Sequence, residues 1–151
     1  MKKAQRIETV RRAADDLERR KARSLAERER AVLEAQAKLE ELASYREAYL
    51  RDFAHRAASG MNGAGARDYQ VFLARLEEAL RHQTQILAQE RAQRGLELES
   101  WRDAARRATA VGKLTAHWQT EERRALERRE QHDTDEHSLQ LWTRRTPARG
   151  T

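Results

Sequence analysis

Ser59-Gly60-Met61-Asn62-Gly63-Ala64-Gly65 is the stretch from which the fold is read, because it is the one cluster of helix breakers between two long charged runs. It holds three of the six glycines in the chain. Glycine costs about 1 kcal/mol relative to alanine inside a helix, so this density of glycine ends one helix and lets another begin. The chain is therefore expected to fold back here, with helix one over about residues 5–56, a bend over 57–66 and helix two over about 67–140. Tyr45, Tyr49 and Phe53 precede the bend and Tyr69 and Phe72 follow it, which gathers most of the aromatic residues beside it.

Working outward, composition permits a narrow seam rather than a rounded core. The 151 residues are 37% charged and 38% hydrophobic, with a mean hydropathy of −1.04. Such a chain buries a stripe between helices or stays unfolded. Abundant Ala, Leu, Glu, Gln and Arg with a single Pro favours helix, leaving disorder to the ends, including a basic tail over 143–151. No apolar run follows the basic start, and no stretch approaches the roughly 20 apolar residues that span a bilayer, so the expected location is the cytoplasm. The lack of cysteine excludes disulfides and thiolate chemistry. A net charge of +6 and a pI near 10.1 invite an Arg-rich nucleic-acid-binding alternative. Against it, the 31 basic residues are interleaved with 25 acidic ones, as on a solvated coiled-coil surface.

The apolar spacing is helical on both sides of the bend. Ile7, Val10, Ala14 and Leu17 alternate by three and four, with Lys21 and Ser24 as weak continuations. The frame then shifts to Leu25, Val32, Ala35, Leu39, Leu42, Tyr49 and Phe53, interrupted by Arg28 and Arg46, a pattern that predicts a stutter. In helix two Asp68 is expected in the first turn, where a negative charge suits the helix dipole. Leu73, Leu80, Leu87 and Trp101 take heptad position a, and Leu76, Ala104, Val111 and Trp118 take d, with Gln83, Glu90, Arg94 and Glu97 as interruptions. A hairpin closing near Met61 sets Ala35 opposite Leu87, Leu42 opposite Leu80, and Ile7 near Thr115. The stretch from about Glu121 to Leu139 has no counterpart in helix one and continues as a helix supported by its charge pairs. The fold class is all-α, a long antiparallel two-helix coiled coil or α-hairpin.

No catalytic or metal constellation emerges. Gly63-Ala64-Gly65 lacks the lysine and preceding strand of a phosphate-cradling loop. His132 and His137 are five apart and point in different directions on a helix. Glu40-Glu41, Glu77-Glu78 and Glu121-Glu122 are adjacent pairs without a pocket that would shift a pKa. A non-enzymatic chain with no cofactor is expected.

The informative asymmetry lies on the flanks of the seam near the bend. Heptad position g carries Lys38 and Tyr45 from helix one and Phe72, Ala79 and Ile86 from helix two, whereas position e carries Ala43 and Leu50 against Gln70, Glu77 and Thr84. Flanking positions ordinarily carry charge, and contiguous exposed apolar surface marks binding sites. Tyr45 and Phe72 either form such a site or widen the seam to staple the bend. Homodimerisation through the same flank is a third possibility.

Leu42-Ala43-Ser44-Tyr45-Arg46-Glu47-Ala48-Tyr49, a glycine-containing bend, Tyr69-Gln70-Val71-Phe72-Leu73-Ala74-Arg75-Leu76-Glu77-Glu78-Ala79-Leu80 and later Ser100-Trp101-Arg102 together resemble the FliJ family of flagellar export proteins. The likeness extends over nearly the whole chain in length, helix layout and bend position. The resemblance implies a component of the bacterial flagellar type III protein export apparatus, similar in fold to the central stalk of rotary ATP synthases. It implies three partners: a hexameric export ATPase ring, the cytoplasmic domain of the membrane export gate, and export chaperones. Neither specific nucleic acid nor membrane insertion is implied, and the location would be cytoplasmic, peripheral to the inner membrane at the flagellar base. The gate-contacting surface of the family maps onto Leu42, Tyr45, Tyr49, Phe72, Leu76 and Ala79, bordered by Lys38 and Gln83. The ATPase contact transfers as a region, the basic terminal end around Arg11, Arg12, Arg19, Arg123 and Arg124.

Overall fold

The computed structural model describes residues 2–145 and consists of two helices, α1 (Lys3–Ala58) and α2 (Gly63–Arg145), packed antiparallel as a helical hairpin. The reversal between them is shorter than the glycine content suggests. The amide and the hydroxyl of Ser59 both donate to the His55 carbonyl, at 3.2 and 3.1 Å. Gly60 then adopts φ +99°, and its amide donates to the Ala57 carbonyl at 3.3 Å. A left-handed residue just past the last turn is the usual helix stop, and only glycine takes it without a clash at Cβ.

Asn62 starts the next helix two residues later. Its Oδ1 accepts the Gly65 amide at 2.7 Å and its carbonyl accepts the Ala66 amide at 3.1 Å, the arrangement of an N-cap. Gly63, Ala64 and Gly65 therefore form the first turn of α2 rather than loop. Asp68 lies beyond that turn, which contains no acidic residue, so the dipole role expected for Asp68 passes to the Asn62 cap. At the far end α2 continues through Arg145, and Thr143 Oγ1 donates to the Leu139 carbonyl at 2.7 Å. Residues 143–145 are thus helical where a tail was expected. The remainder of that tail, 146–151, lies outside the described residues.

The chain divides into two compact units, Asp16–Ala105 and Met1–Asp15 with Arg106–Thr151. In the first, Val32, Ala35 and Leu87 form a buried cluster flanked by Leu39 and Ile86. The covered positions on α1 run Glu18, Lys21, Leu25, Arg28, Val32, Ala35, Leu39, Leu42, Arg46, Tyr49 and Phe53, stepping alternately by three and four. Those on α2 run Tyr69, Leu73, Leu76, Leu80, Gln83, Leu87, Glu90, Arg94, Glu97, Trp101 and Ala104 with the same alternation. The polar residues in these series belong to the seam. Gln83, 4% exposed, donates from Nε2 to the Ala35 carbonyl at 3.0 Å. The Trp101 indole donates to Glu18 Oε1 at 2.9 Å. Arg46 pairs with Glu77 at 3.3 Å and Arg28 with Glu90 at 3.9 Å.

The frame shift expected at Leu25 is therefore absent. Glu18 and Lys21 hold the seam positions, while Leu17 and Ser24 are half-buried beside them. Long charged side chains lay their aliphatic stems along apolar surface and keep their heads in polar contact, so counting apolar residues alone finds the wrong row.

The second unit continues the same spacing with Ile7, Arg11 and Ala14 on α1 and Ala108, Val111, Thr115 and Trp118 on α2. Val10, placed on the seam by its hydrophobicity, is 51% exposed, and half-buried Arg11 takes the place assigned to it. Arg11 is held by Asp15 at 3.0 Å and by both oxygens of Glu8. Thr115 is buried and returns its hydroxyl proton to the Val111 carbonyl at 2.9 Å. From Glu121 to Arg145 every residue except Ala125 is exposed.

Candidate partner-binding surface

The bend fixes which side chains from α1 and α2 meet, and near it these are aromatic. Tyr49 lies at the centre: its ring centroid is 4.5 Å from Phe72, 4.8 Å from Tyr69 and 6.4 Å from Tyr45. Tyr45 meets Phe72 edge-on at 6.1 Å, and Phe53 meets Tyr69 at 5.1 Å. Tilted and edge-to-face pairs at these separations contribute about 0.5–1.5 kcal/mol each beyond their burial. Flat rings with few torsions also lose little entropy on being covered by a partner.

Exposure separates the residues assigned to this surface. Tyr45 is 53% and Phe72 37% exposed, so both present ring area to water. Leu42, Tyr49 and Ala79 are half-buried beneath them. Leu76 is 6% exposed and lies within the seam. Of the bordering residues, Lys38 is exposed, whereas Gln83 lies in the seam rather than at the edge of the surface. Val71, also exposed, extends the apolar area next to Phe72, and its position on the outer face of α2 gave no heptad signal. The opposite flank is less polar than its sequence suggests, since Tyr49, Leu50, Phe53, Tyr69, Gln70 and Leu73 line a hollow of about 180 Å³.

One of the rings, Tyr69, is tied down by a polar contact. The Tyr69 hydroxyl donates to Asp52 Oδ2 at 2.5 Å, the short end of a charge-assisted bond. That bond lowers the pKa of Asp52 and raises that of Tyr69. Arg56, 3.4 Å from the same carboxylate oxygen, further favours the ionised Asp52. Tyr49 is pushed up chiefly by burial. The Asp52–Tyr69 bond is invisible in the sequence, since it depends on the register that the short bend sets.

The basic residues assigned to the terminal end differ in their surroundings. Arg11 is engaged in the seam, Arg12 is exposed and 3.3 Å from Glu8, and Arg124 lies 3.5 Å from Glu121 beside exposed Arg123. Arg19 belongs to the other unit and sits 3.8 Å from Asp16. Arg56, Arg81 and Arg102 are likewise paired with carboxylates three or four residues away on their own helix. Cations neutralised in this way suit a solvated helix surface better than a phosphate-binding stripe. His132, Asp133 and Glu136 bring ligand atoms within 4.8 Å of one another, but all three are exposed. Among the described residues no helix is long and apolar enough to cross a membrane.

No curated protein and no solved structure matches the chain. A family model described as Flagellar FliJ protein matches residues 2–147. The chain belongs to the FliJ family of flagellar proteins, whose members are non-catalytic components of the flagellar export apparatus.

Proposed function

We propose that the chain couples the hexameric export ATPase to the membrane export gate. The unit containing the bend engages the cytoplasmic domain of the gate protein, and the unit containing the helix termini engages the ATPase ring and assists export chaperones. The observation that carries this reading is the exposed edge-to-face pair of Tyr45 and Phe72, backed by Leu42, Tyr49 and Ala79, with Leu76 buried in the seam. Large aromatic side chains on a rigid helical support are the residues that dominate binding energy at protein interfaces. Arg12, Arg123 and Arg124 of the unit containing the termini, exposed and weakly paired at most, would make shallow polar contacts with a ring, with Arg19 of the other unit as a further candidate, while Arg11 holds Glu8 and Asp15 on its own helix. The chain would act in the cytoplasm, at the inner-membrane face of the flagellar base.

The test is the double substitution Tyr45→Ala with Phe72→Ala, followed by helicity, binding to the gate domain and motility. Retained helicity with loss of gate binding and motility is the expected result. Lost helicity would assign the rings to folding alone, and retained helicity with full motility would overturn the surface as a functional one.

A further inference from the structure

A second apolar surface lies in the unit that contains the helix termini, made by residues other than those of the proposed gate contact and next in the chain to Arg11 and Arg12. Ile7, Val10, Val111 and Leu114 line an open hollow of about 360 Å³, to which Lys3 and Arg6 also contribute. Val10 is 51% and Leu114 68% exposed, so the two aliphatic side chains stand in water on either side of it. A grouped apolar surface of this kind on a highly charged chain marks an interaction site.

The charge around the hollow is one-sided. Glu8 and Asp15, the nearby carboxylates of α1, are neutralised by Arg11 and Arg12. Lys3 and Arg6 hold no ion pair among the described residues, so the charge left at the hollow is positive. We propose that this hollow docks an amphipathic helix of a partner protein that presents a row of aliphatic side chains flanked by aspartates or glutamates. Helices lay their apolar faces into grooves of this type, and complementary charge fixes their orientation. A second copy of the chain packing here about a two-fold axis would set Lys3 and Arg6 against the same cations.

The test uses the full chain and two synthetic helical peptides with identical leucine rows, one flanked by glutamates and one by lysines, with binding followed by fluorescence anisotropy. The glutamate peptide is expected to bind, with affinity falling as salt rises, and the lysine peptide to bind at least about tenfold more weakly. Leu114→Gln removes one aliphatic anchor and is expected to weaken the glutamate peptide about tenfold. Arg6→Glu should narrow or reverse the preference between the peptides. Because Leu114 is exposed its replacement leaves the melting temperature unchanged, and Val10→Gln gives the same readout if it does not. Equal binding of the two peptides, binding of neither, or indifference to both aliphatic substitutions overturns the proposal. Concentration-dependent mass that Leu114→Gln abolishes would overturn it in favour of a second copy.

Discussion

Replacing glycines singly by alanine separates the residue that stops α1 from those that merely interrupt α2. An added Cβ at Gly60 meets nothing within 4 Å, yet the φ of +99° belongs to a region that L-residues enter at about 1–2 kcal/mol. The alanine regains roughly 0.4–1 kcal/mol by restricting the unfolded chain, so Gly60→Ala is expected to destabilise by about 1 kcal/mol. At Gly95 and Gly112 the Cβ also meets nothing within 4 Å, and the backbone is ordinary helix. There alanine stabilises by roughly 0.5–1 kcal/mol each, and the two add because the sites are far apart in the chain. Gly65→Ala lies between these cases, because its Cβ would approach Asn62 Oδ1 and Met61 Cγ at 3.2 Å and crowd the cap. Urea denaturation followed by far-ultraviolet circular dichroism reads all four. A neutral or stabilising Gly60→Ala, or a destabilising Gly95→Ala, would refute the assignment of the helix stop to Gly60 and of the other two to uninterrupted helix.

Three further outcomes follow from the contacts. Glu97 carries a buried carboxylate oxygen with no hydrogen-bond partner at a seam position, so Glu97→Leu is expected to raise stability by about 1–2 kcal/mol, seen as a higher thermal midpoint. Glu18→Ala leaves the half-buried Trp101 indole without its acceptor and should cost about 1 kcal/mol in the same melt, accompanied by a shift in tryptophan emission. The Asp52–Tyr69 bond gives a pH window. The lowered Asp52 value means its contribution is present above the ordinary carboxylate range and lost as pH falls through the folded value. The raised Tyr69 value means its contribution is present below the ordinary tyrosine range and lost as pH rises through the folded value. Tyr69→Phe should shrink the stability difference at both limits, and a profile identical to the wild type would remove the bond from the fold.

The hairpin was legible because Val32, Ala35, Leu39 and Leu42 on α1, and Leu73, Leu76, Leu80 and Leu87 on α2, broken only by Gln83, keep a heptad on both sides of a glycine-rich stretch. The seam became illegible where Arg11 and Glu18 hold covered positions, since pairing and aliphatic stems rather than hydrophobicity place them there; Lys21 stood in the series only as a weak member. Glycine propensity likewise misplaced the start of α2, because the Asn62 cap compensates the first turn in a way that no propensity scale records. At the bend, the aromatic residues themselves marked a candidate surface. Which side chains there are exposed, as Tyr45 and Phe72 are, and which are buried, as Leu76 is, depends on the rotation of each helix about the seam. The hollow lined by Ile7, Val10, Val111 and Leu114 has no signature in the sequence, because Val10 fits the apolar series that reads as seam.

The most direct measurement is the affinity of the purified chain for the cytoplasmic domain of the export gate, before and after Tyr45→Ala with Phe72→Ala. Truncating exposed aromatic anchors of this kind costs about 2 kcal/mol or more, so the dissociation constant should rise at least about tenfold while helicity is kept. An unchanged dissociation constant in a fully helical double variant would contradict the role of this surface.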